Sequence, residues 1–153
     1  MIAVIQRVSK SSVHIDDILV SQISSGLNVF LCVTHDDTEE DVYYLADKIV
    51  KLRIFSDEKD KMNLSLLEIG NELMIISQFT LAADTLKGNR PSFTNAARPD
   101  KGEKLYNLFV DYIQIKYSIN VKKGVFGSKM TINIVNEGPV TIIIDSSINK
   151  RKQ

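Results

Sequence analysis

Two short stretches carry groups suited to chemistry. Ser77, Gln78, Phe79, Thr80 and Leu81 read "SQFTL" at the end of an apolar run. The hydroxyls of Ser77 and Thr80, the Gln78 amide and the backbone N–H groups around Phe79 would suit a site that polarises a carbonyl. Strand ends that run into loops commonly carry sites. Thr80 is the candidate nucleophile, yet no histidine or lysine in the motif would activate it. On spacing alone, the same residues also fit a strand terminus with Phe79 in the core. The second stretch, residues 136–141, reads "NEGPVT" between two strand-like runs. Gly138 and Pro139 both punctuate structure. Pro139 lacks an N–H and has a fixed φ, so a rigid hairpin turn is expected here.

Other chemistries find little support. His14 and His35 are the only histidines, and neither has a nearby Cys or His at metal-ligand spacing, so no zinc site is expected. A Ser-His-Asp triad needs a histidine held by an acid and touching a nucleophile. His35 with Asp36 and Asp37 reads instead as a solvated acidic loop. Neither a G-x-S-x-G elbow, nor a P-loop, nor a G-x-G-x-x-G turn is present.

The elements that must position these groups follow from composition and pattern. A chain of 153 residues suggests one domain, long enough to bury a core without staples. Its 44% hydrophobic and 25% charged residues are the ordinary globular mix. Nineteen basic residues balance nineteen acidic ones, so the net charge is zero. That provides no global field for nucleic acid or membrane, but leaves room for a local basic patch. Cys32, the sole cysteine, lies in "LNVFLCVT" and reads as a small core residue. No stretch approaches the ~20 apolar residues of a membrane span, and "MIAVIQRVSK" does not resemble a signal peptide. A cytoplasmic location is the expectation.

Along the chain, residues 2–8 are rich in β-branched side chains and predict a strand. Residues 12–23 alternate around Asp16-Asp17, which predicts a hairpin. Residues 26–34 predict a strand buried on both faces. Thr38 with Asp41 resembles a capping box, opening a helix whose face is Val42, Leu45, Ala46 and Ile49. A further buried strand is expected over 71–81, and an irregular loop over 84–102, which holds Gly88, Pro91, Pro99 and Gly102. Leu105, Leu108, Phe109 and Tyr112 mark a second helix, with Asp100 as its candidate cap. Strands over 120–126, 130–135 and 140–145 finish the domain, taken as residues 1–148. The basic tail 149–153, "NKRKQ", is expected to fray. The fold class is α/β in the α+β sense: a mostly antiparallel sheet or barrel with two helices packed on it, and no run of βαβ units.

Several stretches, in order, resemble the D-aminoacyl-tRNA deacylases: "IQRVSKSSV", "LRIF", "KMNLS", "SQFTL", "KGNRPSF", "GVFG" and "NEGPVT". The departures, "THDDTEE" before the first helix and the tail, fall in variable places. The resemblance implies hydrolysis of the ester joining a D-amino acid to the terminal adenosine of tRNA. It also implies removal of glycine mischarged on tRNA for alanine. It further implies a homodimer with sites at the interface, acting without metal or cofactor on tRNA, not DNA. In that family the Gly-Pro bond is cis and reaches into the partner's site, which carries over to Gly138 and Pro139. Ser77, Gln78, Phe79 and Thr80 become the catalytic candidates. Arg7 becomes a support for the Gly-Pro carbonyls. Phe126 and Met130 match positions near the adenosine pocket, with core packing as the other reading.

Such a task makes physical demands. Both enantiomers of an amino acid carry the same groups, so a side-chain pocket cannot separate them. One methylene selects by only ~1–3 kcal/mol; rejection by a clash is stronger. Backbone carbonyls held by Gly138 and Pro139 would clash with any L side chain, pass any D side chain, and admit glycine. Two routes are open: attack by Thr80 as nucleophile, or, as the preferred one, water assisted by the terminal 2′-OH of the tRNA, with Thr80 positioning water or substrate. Phosphate contacts have candidates in Lys87, Arg90, Arg98, Lys101, Lys104, Lys122, Lys123 and Lys129. The alternative to an enzyme is a non-catalytic RNA- or nucleotide-binding dimer of the same fold.

Overall fold

The computed structural model describes residues 1–150. Strand β1 (Ile2–Ile15) turns at Asp16-Asp17 into β2 (Ile18–Ile23). Both aspartates sit at positive φ, 47° and 63°, a conformation that short polar side chains tolerate. The strand β3 (Gly26–Cys32) pairs antiparallel with the first half of β1. Helix α1 (Glu39–Val50) follows, then the two-stranded ribbon of β4 (Phe55–Ser56) and β5 (Met62–Leu64), and a one-turn helix α2 (Leu66–Ile69). Strand β6 (Glu72–Ser77) lies parallel to β3. A 3₁₀ turn, Phe79–Ala82, leads to a long connection and to α3 (Pro99–Tyr117). Strand β7 (Val121–Lys123) pairs parallel with β6, and β8 (Thr131–Asp145) pairs antiparallel with β1 along its whole length. Helix α4 (Ser147–Lys150) ends the described chain.

The main core lies between the sheet and the two long helices. Ile5, Leu27, Val29, Leu73 and Ile75 meet Val42, Leu45 and Ile49 of α1 and Phe109 and Ile113 of α3, all fully buried. Each such side chain contributes about 1.5–3 kcal/mol. The other face carries a smaller cluster, Val8, Val13, Ile23, Met74 and Ile76, against Phe30, Met130, Ile132 and Ile134. The sheet curls, and the Ser21 hydroxyl of β2 donates to the Lys123 carbonyl of β7 at 2.9 Å. The α+β class therefore holds, in a nearly closed sheet. α1 begins as expected: Asp41 accepts the Thr38 N–H at 2.8 Å.

Several expected elements differ. Both long helices cross between parallel strands, so the sheet is mixed, and two crossovers stand where none was expected. Residues 2–8 and the first hairpin arm are one strand of 14 residues. The strand over 71–81 stops at Ser77, because β3, which it follows, also ends there. α3 starts at Pro99, with Arg98 and not Asp100 at its N-cap; Pro99 is pre-organised for a first helical position. Residues 121–123, and not 120–126, form β7.

The largest difference is at "NEGPVT", where no hairpin turn occurs. Residues 131–145 are one strand of 15 residues, and both flanks pair with β1 in the same antiparallel sense. Between the pairs Gln6–Thr141 and Val8–Asn136, β1 contributes Arg7 alone. β8 contributes Glu137, Gly138, Pro139 and Val140, which must bulge out. Of the tail, 149 and 150 close α4, and 151–153 lie outside the described residues.

Candidate active site

The end of β6, the start of α3 and the start of β8 line a cavity of about 560 Å³. Its depth and apolar lining are those of a small-molecule site. Ser77, Gln78 and Phe79 form one wall, Phe126 and Met130 another, with Ile132 of β8 beside them. Phe93, Ala96, Ala97 and Pro99 close the third side. Local pairing holds that third wall: Ala97 N–H donates to the Val33 carbonyl and His35 N–H to the Asn95 carbonyl, both at 3.0 Å. Phe126 is backed by Tyr106 of α3, ring centroids 5.9 Å apart. The Tyr106 hydroxyl anchors α3 to β6 by donating to the Ile75 carbonyl at 2.8 Å, and burial pushes its pKa up.

The chain geometry at the motif leaves backbone donors free. Gln78 N–H donates to the Leu31 carbonyl at 2.8 Å, the last rung of the β3–β6 pairing. The 3₁₀ turn then begins, and its first N–H groups have no partner within the turn. Among the described residues, the N–H groups of Phe79 and Thr80 have no acceptor. The Thr80 hydroxyl has one partner: the Gln78 amide nitrogen donates to it at 2.5 Å. An amide nitrogen is no base, and among the described residues the Thr80 hydroxyl has no other hydrogen-bond partner. Phe79 is 56% exposed and not a core residue; its ring meets Phe93 edge-on at 5.2 Å.

Gly138 and Pro139 do not line this cavity in their own chain. The bond between them is cis, and Gly138 has φ +131°. A Cβ on Gly138 would lie 2.8 Å from Val140 N and 2.9 Å from Val140 Cγ2, so the bulge accepts only glycine there. Arg7, 8% exposed, fills the space under the bulge. Its Nη1 donates to the Ile54 carbonyl at 2.7 Å and its Nε to the Glu137 carbonyl at 3.2 Å. The carbonyl it holds is thus that of Glu137, one residue before the pair expected from the sequence.

Sequence reasoning brought Ser77, Gln78, Phe79, Phe126 and Met130 to one cavity, with Thr80 adjoining. It did not single out Phe93, Pro99 or Ser128, which also line it. Phe93 and Ser128 lie within or beside "KGNRPSF" and "GVFG", which were noted only as segments. The histidines stand elsewhere: His14 is 3.3 Å from the Asn133 amide, and His35 is 3.5 Å from Asp36 on the surface.

Known proteins resemble this chain along nearly its whole length. The family described as D-Tyr-tRNA(Tyr) deacylase matches residues 4–145. The D-aminoacyl-tRNA deacylase of Cytophaga hutchinsonii is 53% identical over the full length of both chains, 100% of each. That of Petrotoga mobilis is 52% identical, over 95% of this chain and 97% of its own. A solved structure described as c-Myc DNA Unwinding Element Binding Protein is 37% identical with a TM-score of 0.91, over 95% of this chain and 98% of that one.

Cys32 lies directly under the motif, its thiol 3.5 Å from the Phe79 carbonyl. Burial, the largest cause, pushes its pKa up to about 11 from 9.0. The neutral thiol is therefore favoured in the folded state, and the group is no nucleophile near pH 7. The unfolded thiol ionises first, so this contribution to stability is complete below pH 9 and is lost as the pH rises towards 11. Denaturant titrations at pH 8 and pH 10.5 should show a smaller loss for Cys32→Ala than for the wild type. Equal losses would show that the thiol is not held neutral.

Proposed function

The chain belongs to the D-Tyr-tRNA(Tyr) deacylase family, and from its cavity we infer how it hydrolyses the ester of a D-aminoacyl-tRNA. The observation that carries the reading is one cavity holding Ser77, Gln78 and Phe79 opposite Phe126 and Met130. The apolar wall suits the adenine of the terminal nucleoside. The opposite wall suits the ester, whose carbonyl oxygen would accept from the free N–H groups of Phe79 and Thr80. Attack by water puts a negative charge on that oxygen, and preorganised backbone donors stabilise it. Collapse of the adduct breaks the bond to the adenosine 3′-oxygen, which leaves with a proton, and frees the D-amino acid.

The proton from water needs an acceptor. Thr80 is a poor one, because its hydroxyl already accepts from Gln78. The vicinal 2′-OH of the terminal adenosine is better placed to relay it, with Thr80 and Gln78 positioning the water. Glycine carried on tRNA for alanine would be hydrolysed by the same steps. No metal or cofactor enters this chemistry. The enzyme would work in the cytoplasm as a proofreader of translation; no helix among the described residues is long and apolar enough to cross a membrane.

Rejection of L-substrates is assigned to the Gly138–Pro139 backbone. Because this pair does not line the cavity of its own chain, the reading has it act on the cavity of a second copy. Exposed apolar side chains on β8 favour a homodimer: Val135 is 53% and Ile143 70% exposed. The neighbour described as binding a DNA element bears on that protein; here, zero net charge and the small apolar cavity favour a terminal nucleoside over a duplex.

Three outcomes are expected. Purified protein with EDTA present should hydrolyse D-Tyr-tRNA and leave L-Tyr-tRNA, while Gly138→Ala should lose selectivity or activity. A variant with wild-type rate and wild-type selectivity would place the filter elsewhere, and an inert wild type would leave the non-catalytic binding dimer. Thr80→Ala should keep at least about a tenth of kcat, whereas a terminal 2′-deoxyadenosine should cost about 10²-fold or more, the scale of assisted proton transfer; a trapped acyl-Thr80 would refute this. Ile143→Asp should give an inactive monomer by light scattering; a fully active wild-type monomer would remove the dimer from the mechanism.

A further inference from the structure

The long connection between the 3₁₀ turn and α3 is an arm rooted on both walls of the cavity. It leaves at Ala82, three residues after Phe79, and returns at Phe93 and Ala96. Asp84 and Ser92 clasp its base with paired backbone bonds of 2.7 and 2.9 Å. The Leu86 N–H donates to the Asp84 carboxylate at 2.9 Å, and Gly88 turns the tip at φ +68°. The tip can stand at most about four residues from this clasp, or ~13 Å at ~3.3 Å per residue.

Its charge is one-sided. From Thr85 to Pro99 there is no acid, and Lys87, Arg90 and Arg98 lie within it, in a chain of zero net charge. The single acid at its base, Asp84, is occupied by Leu86. Of the other basic side chains, Lys101 donates to the His35 carbonyl at 2.6 Å, Lys104 lies 3.7 Å from Glu39 and Lys123 donates to Asn107 at 3.4 Å. Arg98 and Lys129, beside the cavity, have no side-chain partner among the described residues. Lys87 and Arg90 are exposed and have no protein partner among the described residues. Leu86 beside them is 91% exposed, an apolar surface with nothing of the protein to cover it.

We propose that this arm grips the phosphodiester backbone of the tRNA 3′ strand as it leaves the cavity. Lys87 and Arg90 each meet a phosphate, and Leu86 lies against a ribose or base edge. The proposal rests on the deacylase reading for the identity of the nucleic acid. A strand whose terminal nucleoside sits in the cavity must pass the rim, and its next phosphates fall within the arm's reach. Contacts of this kind give affinity without sequence selection, as expected of an enzyme serving many tRNAs.

Binding of uncharged tRNA tests the arm without requiring catalysis. Fluorescence titration should show Lys87→Ala/Arg90→Ala binding about tenfold or more weaker, with the slope of log K against log salt reduced by about 1.4, or ~0.7 per single-strand contact. Lys87→Arg/Arg90→Lys should bind like the wild type. Lys59→Ala/Lys61→Ala, which removes equal charge from a distant turn, should also bind like it. Unchanged affinity and slope in the arm variant would overturn the proposal, as would an equal loss in the distant one. Wild-type protein that binds tRNA through the arm yet leaves D-Tyr-tRNA intact would sink the deacylase reading alone.

Discussion

The pairing of β1 with β8 sets the rest of the molecule. The strands begin and end in register, with Ile2 opposite Asp145 and His14 opposite Thr131. Between them β8 carries residues that have no opposite number, and the excess gathers at one point, across from Arg7. A guanidinium buried there needs partners for its donors. It finds them in the carbonyls of Ile54 and Glu137, and charge-assisted bonds of this kind are stronger than neutral ones. One side chain therefore joins the sheet, the segment after α1 and the bulge. Removing it would leave carbonyls unpaired and the bulge without a floor.

The parallel part of the sheet builds the cavity. β3, β6 and β7 run the same way, so their C-terminal ends gather at one edge. Loops beyond the ends of parallel strands are where ligands bind in such sheets. Here β3 and β6 stop together, and the chain after Ser77 tightens into a 3₁₀ turn instead of extending the strand. That change of conformation releases the N–H groups of Phe79 and Thr80 from the pairing. A continued strand, as the apolar pattern of 71–81 suggested, would have committed them to the sheet. The site depends on the strand ending where it does.

Much of this was legible in the sequence because its signals are local. Thr38 and Asp41 place the start of α1, and Val42, Leu45, Ala46 and Ile49 face the core as their spacing requires. Asp16-Asp17 makes the turn it suggests. Ser77, Gln78 and Phe79 line one cavity with Phe126 and Met130, a long-range pairing that family likeness supplied and spacing could not. "NEGPVT" misled for the opposite reason. A turn between two strands and a bulge inside one strand share the same local composition; what separates them is the partner, β1, at the other end of the chain. The crossovers were missed likewise, since parallel neighbours such as β3 and β6 are distant in sequence. Phe93 reached the cavity only through the fold of the arm.

On this reading the main chain, more than any side chain, does the selective work. An enzyme that accepts many amino acids cannot rely on a pocket fitted to one of them. It can rely on groups every substrate presents: the ester carbonyl, the α-carbon, the terminal adenosine and the phosphates. Phe79 and Thr80 would offer N–H groups to the first, and the bulge of a second copy would offer its backbone to the second. The apolar wall takes the third, and the arm the fourth. Because each recognises a different part of the substrate, affinity and chirality separate. A weak arm would lower occupancy for both enantiomers alike, while a displaced bulge would change their ratio and leave the binding of the tRNA untouched.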